Sequence, residues 1–212
     1  QWTIDEISSG LAWDHVKEHL SDKPRPHDGA TGRAALVIGG GQRVFEDIDT
    51  ALSLFTPDIV LAVNDIGTKY QGRIDHWCSM HPEKFGAWSE ARERAGLEPV
   101  GKYWTAVHKE APEHFKREVY PGGGSAGLAV AVARKMGAEK IVLAGVPLSE
   151  EPHFFDEVPW HAKEVNAYRR HWKMLTRYWA DCVRSVSGGW TEEVYGRASR
   201  DWIEGRDHEI AA

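Results

Sequence analysis

The chain has 212 residues, 42% of them hydrophobic and 27% charged, with a formal net charge of −6. That length can bury one sizeable core, and the acidic balance argues against a non-specific nucleic-acid binder. No apolar stretch approaches the roughly 20 residues that a bilayer-spanning helix needs. The two cysteines, Cys78 and Cys182, lie far apart with no C-x-x-C pairing, and read as buried or half-buried thiols in a reducing compartment. The first twenty residues, "QWTIDEISSGLAWDHVKEHL", are polar and amphipathic. No signal peptide is expected from them, which points to a cytoplasmic protein.

In chain order, residues 3–20 predict a helix with Ile4, Ile7, Leu11, Val16 and Leu20 on one stripe. "SDKPRPHDGATGR" follows as a Pro- and Gly-rich linker. "AALVIGG" is a short, wholly apolar run, as expected of a strand covered on both faces. "QRVFEDIDTALSLF" carries Val44, Phe45, Ile48, Leu52 and Phe55 at helical spacing. "DIVLAVND" and "RIDHWCSM" predict a second and a third strand. "PEKFGAWSEARERAG" is a helix opened by Pro82 and stopped by Gly96. "EPVGKYWTAV" predicts a fourth strand, "SAGLAVAVARKMG" a helix ending at Gly137, and "KIVLAGV" a fifth strand. "AKEVNAYRRHWKMLTRYWADCVRSVSGG" predicts one long helix with Val165, Tyr168, Trp172, Leu175, Trp179, Cys182, Val183 and Val186 on its buried side. The tail from Trp190 is expected to be irregular or a short helix. Strand alternating with helix over short connections means an α/β protein with a mainly parallel sheet and helices on both faces.

In such a sheet, ligands bind beyond the carboxyl ends of the strands, near a switch in strand order. Two glycine runs are expected there. Gly39, Gly40 and Gly41 follow the first strand; Gly122, Gly123 and Gly124 lead into a helix whose N-cap is predicted to be Ser125. Glycine permits positive φ and close approach of a ligand, and a helix N-terminus suits phosphate. The competing reading of each run is a tight turn. Neither G-x-G-x-x-G nor G-x-x-x-x-G-K-[ST] is present.

Polar residues collect at the other predicted strand ends. Asn64 and Asp65 close the second strand, where an amide and a carboxylate can read a base or ribose or hold a metal; turn chemistry is the alternative. "DHWCSMHPEKF" places Asp75, His76, Ser79, His81 and Glu83 around the third strand, and His81 is a candidate general base or phosphate contact. His76 and His81 lack the spacing of a zinc pair on a helix, so no structural zinc is expected. The long connection after the fifth strand carries Ser149, His153, Asp156 and His161 among Phe154, Phe155 and Trp160. His153 is the candidate catalytic base. Arg169 and Arg170 are placed to neutralise a leaving phosphate, solvated helix arginines being the alternative. Nothing matches G-x-S-x-G, which disfavours serine hydrolase chemistry.

The order strand–"GGGQRVFEDID", strand–"AVND", strand–"SMHPEKF", then "GGGSAGLAVAVARKMGAEKIVLAGVPLS" resembles a superfamily of Rossmann-like proteins. It includes the archaeal 6-hydroxymethylpterin diphosphokinase-like proteins, the single-domain bacterial sialyltransferases and phage-encoded members of unassigned role. The likeness covers roughly residues 34–150, and "GLAVAVARKMGAEKIVLAGV" is its most specific part. It implies that Gly39, Gly40 and Gly41 contact nucleotide phosphates, that Asn64 and Asp65 contact the nucleotide, and that Gly123, Gly124, Ser125 and Gly127 close the site. His153 is the nearest positional match to the sialyltransferase base. The first loop reads "GGGQR", without the proline and serine usual in the family. The sialyltransferase arginine-and-tyrosine set is matched only by Tyr168 and Arg169, so donor identity does not carry over.

The expectation is therefore a nucleotide-dependent transferase, glycosyltransferase-like with a nucleotide-sugar donor or diphosphokinase-like. His153, His81 and Asp65 are its catalytic candidates; the cofactor is a nucleotide or nucleotide-sugar, with a divalent metal at Asp65 left open. The partners are a small-molecule donor and an unidentified acceptor, with a homo-oligomer left open; a phage-encoded chain would work in the host cytoplasm. The alternatives are a non-catalytic nucleotide-binding protein, or a phage structural or assembly protein with Trp160, Trp190 and Trp202 as interface anchors. The expected organisation is a helix and linker over 1–33, a Rossmann-like nucleotide-binding domain over 34–189, and a tail over 190–212 packed on it.

Overall fold

A computed structural model of the chain describes residues 32–106, 116–117 and 122–206. The helix expected over 3–20 and nearly all of the linker lie outside the described residues. The described chain runs β1 (Arg33–Ile38), α1 (Val44–Leu54), β2 (Ile59–Val63), β3 (His76–Cys78), α2 (Phe85–Arg94), β4 (Lys102–Thr105) and β5 (Lys116–Arg117). It continues through α3 (Gly124–Lys135), β6 (Ala138–Ala144), α4 (Ala162–Trp179), β7 (Val183–Ser185), α5 (Gly189–Tyr195) and α6 (Arg200–Ile203). Asn64–Thr68 and Pro82–Lys84 form single 3-10 turns.

All the strand pairs are parallel, in the order β5-β4-β3-β2-β1-β6-β7. The fold is thus α/β and Rossmann-like. The chain steps outward from β1 to β5, crosses back through α3, and lays β6 on the other side of β1. The switch in strand order therefore falls between β1 and β6, the location at which open α/β sheets build ligand sites.

Strand alternation divides the core in two. Ala35, Val37, Leu61 and Leu143 pack with α3, α4 and α5 through Leu128, Trp172, Trp179 and Tyr195. Leu36, Ile38, Ala62 and Val142 pack with α1, α2 and α6 through Val44, Ile48, Phe85 and Trp202. Cover on both faces is why β1 and β2 read as continuous apolar runs.

Three expectations need correction. The long helix stops at Trp179, and Val183–Ser185 is an edge strand paired with Ile141–Leu143. Trp179, Val183 and Val186 satisfy a helical period, but Val183 and Ser185 are buried while Arg184 between them is not, the alternation of a strand. Pairing with β6 decided between the two periods. On α1, Phe45 and Leu52 are 48% and 43% exposed, and the inward face is Val44, Asp47, Ile48 and Ala51. Trp202 is no exposed anchor: it is 4% exposed, with Lys140 Nζ 4.5 Å and Arg184 Cζ 5.1 Å from its ring centroid. Arg200 also ties the tail to the end of α1 by donating to the Ser53 carbonyl.

The segment leaving β2 is held by one buried cation. Arg92 of α2, 2% exposed, donates to the carbonyls of Gly67 and Tyr70 at 2.8 Å and of Glu98 at 2.6 Å. Gly67 lets the Trp77 indole lie directly on this segment, where a Cβ would collide with the ring. Both contacts fix residues 64–72, which open with Asn64 and Asp65. Arg92→Met keeps the aliphatic stem and strips the donors from these carbonyls and from that of Gly72. It is expected to cost about 2–4 kcal/mol, measured as a lower urea midpoint at unchanged m-value.

Candidate functional site

In an all-parallel sheet every strand ends on the same edge, so Gly39, Asn64, Ser79 and Gly145 share it. At the switch point two amides of the first glycine run are already bonded within the protein. Gly39 N–H donates to the Ala144 carbonyl and Gly41 N–H to the Gly145 carbonyl, both at 2.8 Å. None of the three has positive φ. Their requirement is steric: a Cβ on Gly39 would lie 2.5 Å from the Gly145 oxygen, and one on Gly41 would lie 2.7 Å from Pro147 Cδ. The amides of Gly39 and Gly41, expected to hold phosphate, are spent on joining the β1 and β6 exits.

Gly145 is held from other directions as well. The Asp47 carboxylate, 7% exposed, accepts from Gly145 N–H at 3.0 Å. Burial holds its carboxyl above the usual aspartate range, with the Gly145 bond opposing. Ser187 Oγ accepts from Val146 N–H, Thr191 Oγ1 donates to the Val146 carbonyl, and Arg169 Nε donates to the Leu148 carbonyl. Leu148 is kept at φ 49° by this set. With Asn64 at φ 56°, it is one of two positive-φ residues other than glycine among the described residues, and both sit on the carboxyl edge. Such strain persists only where the surroundings over-determine it, and it concentrates at functional sites.

The second glycine run is of another kind. Gly122, Gly123 and Gly124 all have positive φ, at 94°, 77° and 73°. They turn the chain into α3 against α4: the Gly123 carbonyl accepts from Trp172 Nε1 at 2.9 Å, and Tyr168 covers Gly124. Gly123, not Ser125, is the N-cap, and it brings no side-chain acceptor. Ser125 lies inside the first turn, where its Oγ accepts from Met80 N–H at 3.0 Å. Gly127 is a packing glycine, since a Cβ there would overlap the Gly122 carbonyl.

Around β2 and β3 the polar residues separate into two groups. Asp75 and His76 are structural: Asp75 accepts from Val60 N–H, and His76 Nδ1 accepts from Trp104 Nε1 at 3.1 Å. Burial lowers His76 to about 4, with Lys102 adding to the effect and Asp75 opposing. At the carboxyl end, Ser79 Oγ donates to Asn64 Oδ1 at 2.7 Å and accepts from His81 N–H at 2.9 Å. The His81 ring turns to solvent beside Glu83, Nδ1 to Oε1 being 3.4 Å. Burial raises the Asp65 carboxyl above the usual range, against bonds from its own and the Ile66 amide. Among the described residues no three His, Cys, Asp or Glu side chains gather for a metal.

His153 lies over the first glycine run. Its backbone bridges Gly41, Phe154 N–H donates to the Gly40 carbonyl, and a Cβ on Gly40 would touch its ring at 3.7 Å. Burial lowers its pKa, so the imidazole is neutral at pH 7. Its ring centroid is 4.7 Å from that of Trp160, and Trp160 is 5.6 Å from Tyr168, which covers Gly124. Three aromatic side chains thus span the distance between the two glycine runs. His171, one turn beyond Tyr168, packs on Gly122 with Nδ1 enclosed and unpaired, and burial lowers its pKa. Neither His171 nor Asp47 was marked by the sequence, because only packing of α4 on α3, and of α1 on β6, brings them to the loops. A cavity of about 240 Å³ between Thr68, Lys69 and Gln71 and α2 contains none of these residues.

No protein family, curated protein or solved structure matches the chain.

Two outcomes follow from the buried groups. Asp47→Ala leaves Gly145 N–H buried and unpaired and is expected to cost about 1–3 kcal/mol. Asp47→Asn keeps an acceptor, sheds the charge that burial penalises, and should stay within about 1 kcal/mol of the parent in the same urea titration. The lowered pKa of His76 means that the folded state resists protonation there. Stability present above pH 6.5 is lost as pH falls toward 4, at up to about 1.4 kcal/mol per pH unit for that one site. The raised pKa of Asp47 and Asp65 acts with opposite sign in the acid range, so the His76 share is read as the difference between parent and His76→Asn across that window. A flat difference would exclude it.

Proposed function

We propose that the chain binds a nucleotide at the carboxyl edge of its sheet and uses it as donor in a glycosyl or diphosphoryl transfer. The observation that carries this reading is the pair of bonds Asn64–Ser79 and Met80–Ser125. They tie the exits of β2 and β3 to the first turn of α3, which brings three separate connections together at the carboxyl edge. The α3 N-terminus adds partial positive charge there, and its cap contributes no acceptor of its own. Arg169 is anchored through Nε to Leu148, and its two terminal nitrogens, for which no partner is found among the described residues, would take a phosphate. The binding determinants therefore centre on Asn64, the Gly124–Ser125 turn and Arg169, while the Gly39–Gly41 run shapes the floor.

In the transfer, an acceptor hydroxyl oxygen attacks the group carried by the nucleotide. The bond from that group to the nucleotide phosphate breaks, the phosphate leaves with the electron pair, and the acceptor's proton passes to His153. A neutral imidazole is the state this step needs. Arg169 and the α3 dipole stabilise the charge that grows on the leaving phosphate.

A thermal-shift series with CMP, CDP, UDP, GDP, ADP and ATP, each with and without magnesium, tests the binding step. At least one is expected to raise Tm, by the equivalent of about 2.7 kcal/mol at a hundredfold excess over Kd. His153→Ala should then keep nucleotide affinity within about threefold while turnover falls about 10²–10⁴-fold. The proposal fails if no nucleotide shifts Tm, and its catalytic half fails if His153→Ala turns over normally.

A further inference from the structure

Ser79 has 0% exposure, so its hydroxyl proton and lone pairs must be satisfied within the protein. One lone pair takes the His81 amide proton at 2.9 Å. The other neighbour is the Asn64 side chain at 2.7 Å. If the Asn64 amide were turned over, its NH₂ would also donate to Ser79 Oγ. The hydroxyl proton would then have no acceptor among the described residues, at the cost of an unpaired buried donor. The arrangement that satisfies every group has Ser79 donating to Asn64 Oδ1. That leaves the Asn64 NH₂, with no acceptor among the described residues, turned away from Ser79. The backbone adds to the constraint: Asn64 is held at φ 56°, and its carbonyl accepts from Trp77 Nε1.

We infer that Ser79 is a positioning residue that fixes Asn64 as a donor, so that the ligand group lying over the end of β2 is a hydrogen-bond acceptor oxygen. This rests on the nucleotide reading above and narrows it. The oxygen belongs to a phosphate, a sugar hydroxyl or a base carbonyl, and an exocyclic amino group at that place is refused. The neighbourhood agrees in sign: the Met80–Ser125 bond holds the first turn of α3, with its partial positive charge, next to Ser79, so one oxygen-rich ligand can engage both.

Two measurements test it separately from the function. In the free, ¹⁵N-labelled protein, both Asn64 side-chain amide protons are expected to exchange within about tenfold of an unstructured asparagine. Protection of one of them by more than about a hundredfold would mean that it donates to buried Ser79, and would overturn the assignment. Asn64→Asp keeps the oxygen that Ser79 binds and replaces only the outward NH₂. Titration calorimetry with CMP, UMP, GMP and AMP should show the tightest of them weakened about tenfold or more by Asn64→Asp. Ser79→Ala should weaken it less, and Ser79→Thr should restore it. Equal binding by parent and Asn64→Asp overturns the inference while leaving nucleotide binding intact. If the parent binds none of the four, the ligand half of the inference falls with the nucleotide reading, and the exchange measurement still decides the role of Ser79.

Discussion

The carboxyl edge of this sheet depends on a place where two backbones touch. Gly39 and Gly41 press against Gly145 so closely that their amides bond its carbonyl and that of Ala144, and no side chain fits between. This contact closes the switch point of the strand order, where an open sheet would otherwise leave a crevice between β1 and β6. Asp47 reinforces it from α1, accepting from the Gly145 amide in a buried setting. Ser187, Thr191 and Arg169 grip the continuation from the far side. Without an acceptor oxygen from α1 at that point, the buried Gly145 amide would be unpaired.

That seam is flanked by two groups of polar and aromatic side chains. On one side are Asn64, Ser79 and the first turn of α3, joined by two side-chain bonds. On the other are His153 and the aromatic side chains of Trp160 and Tyr168, which reach across to Gly124. Arg169 ties this side to the chain leaving β6, its Nε donating to the Leu148 carbonyl. The result is an edge that combines side-chain donors with an imidazole whose pKa burial lowers. That composition suits a phosphate-bearing ligand and a proton acceptor beside it.

The two glycine runs read alike as sequence and serve different physics. Gly122–Gly124 use the left-handed backbone that only glycine adopts without cost, whereas Gly39–Gly41 use the missing Cβ at ordinary φ. A triplet of glycines contains no information about which of these it serves. The choice depends on what lies opposite, and that is Gly145 in one case and α4 in the other. For the same reason the histidines of the chain could not be ranked from sequence. His76 is an acceptor for Trp104, His81 faces Glu83 in solvent, His153 lies over a glycine turn, and His171 is enclosed by one.

The sequence by itself determined the α/β class, the parallel sheet with its two covered faces, and the placing of Gly39–Gly41, Asn64, Ser79 and Gly145 at strand ends. Those follow from local periodicity and from apolar runs that only a doubly covered strand requires. It also carried an ambiguity at Val183–Ser185, where helical and strand periods coincide, and pairing with β6 resolved it. Tertiary structure alone decided the partners of the polar groups: Asp47 with Gly145, Ser79 with Asn64, Ser125 with Met80, Arg92 with the carbonyls of Gly67 and Tyr70. A hydrogen bond between residues 15 to 98 positions apart leaves no mark on local composition, because it is selected by the geometry of elements already packed.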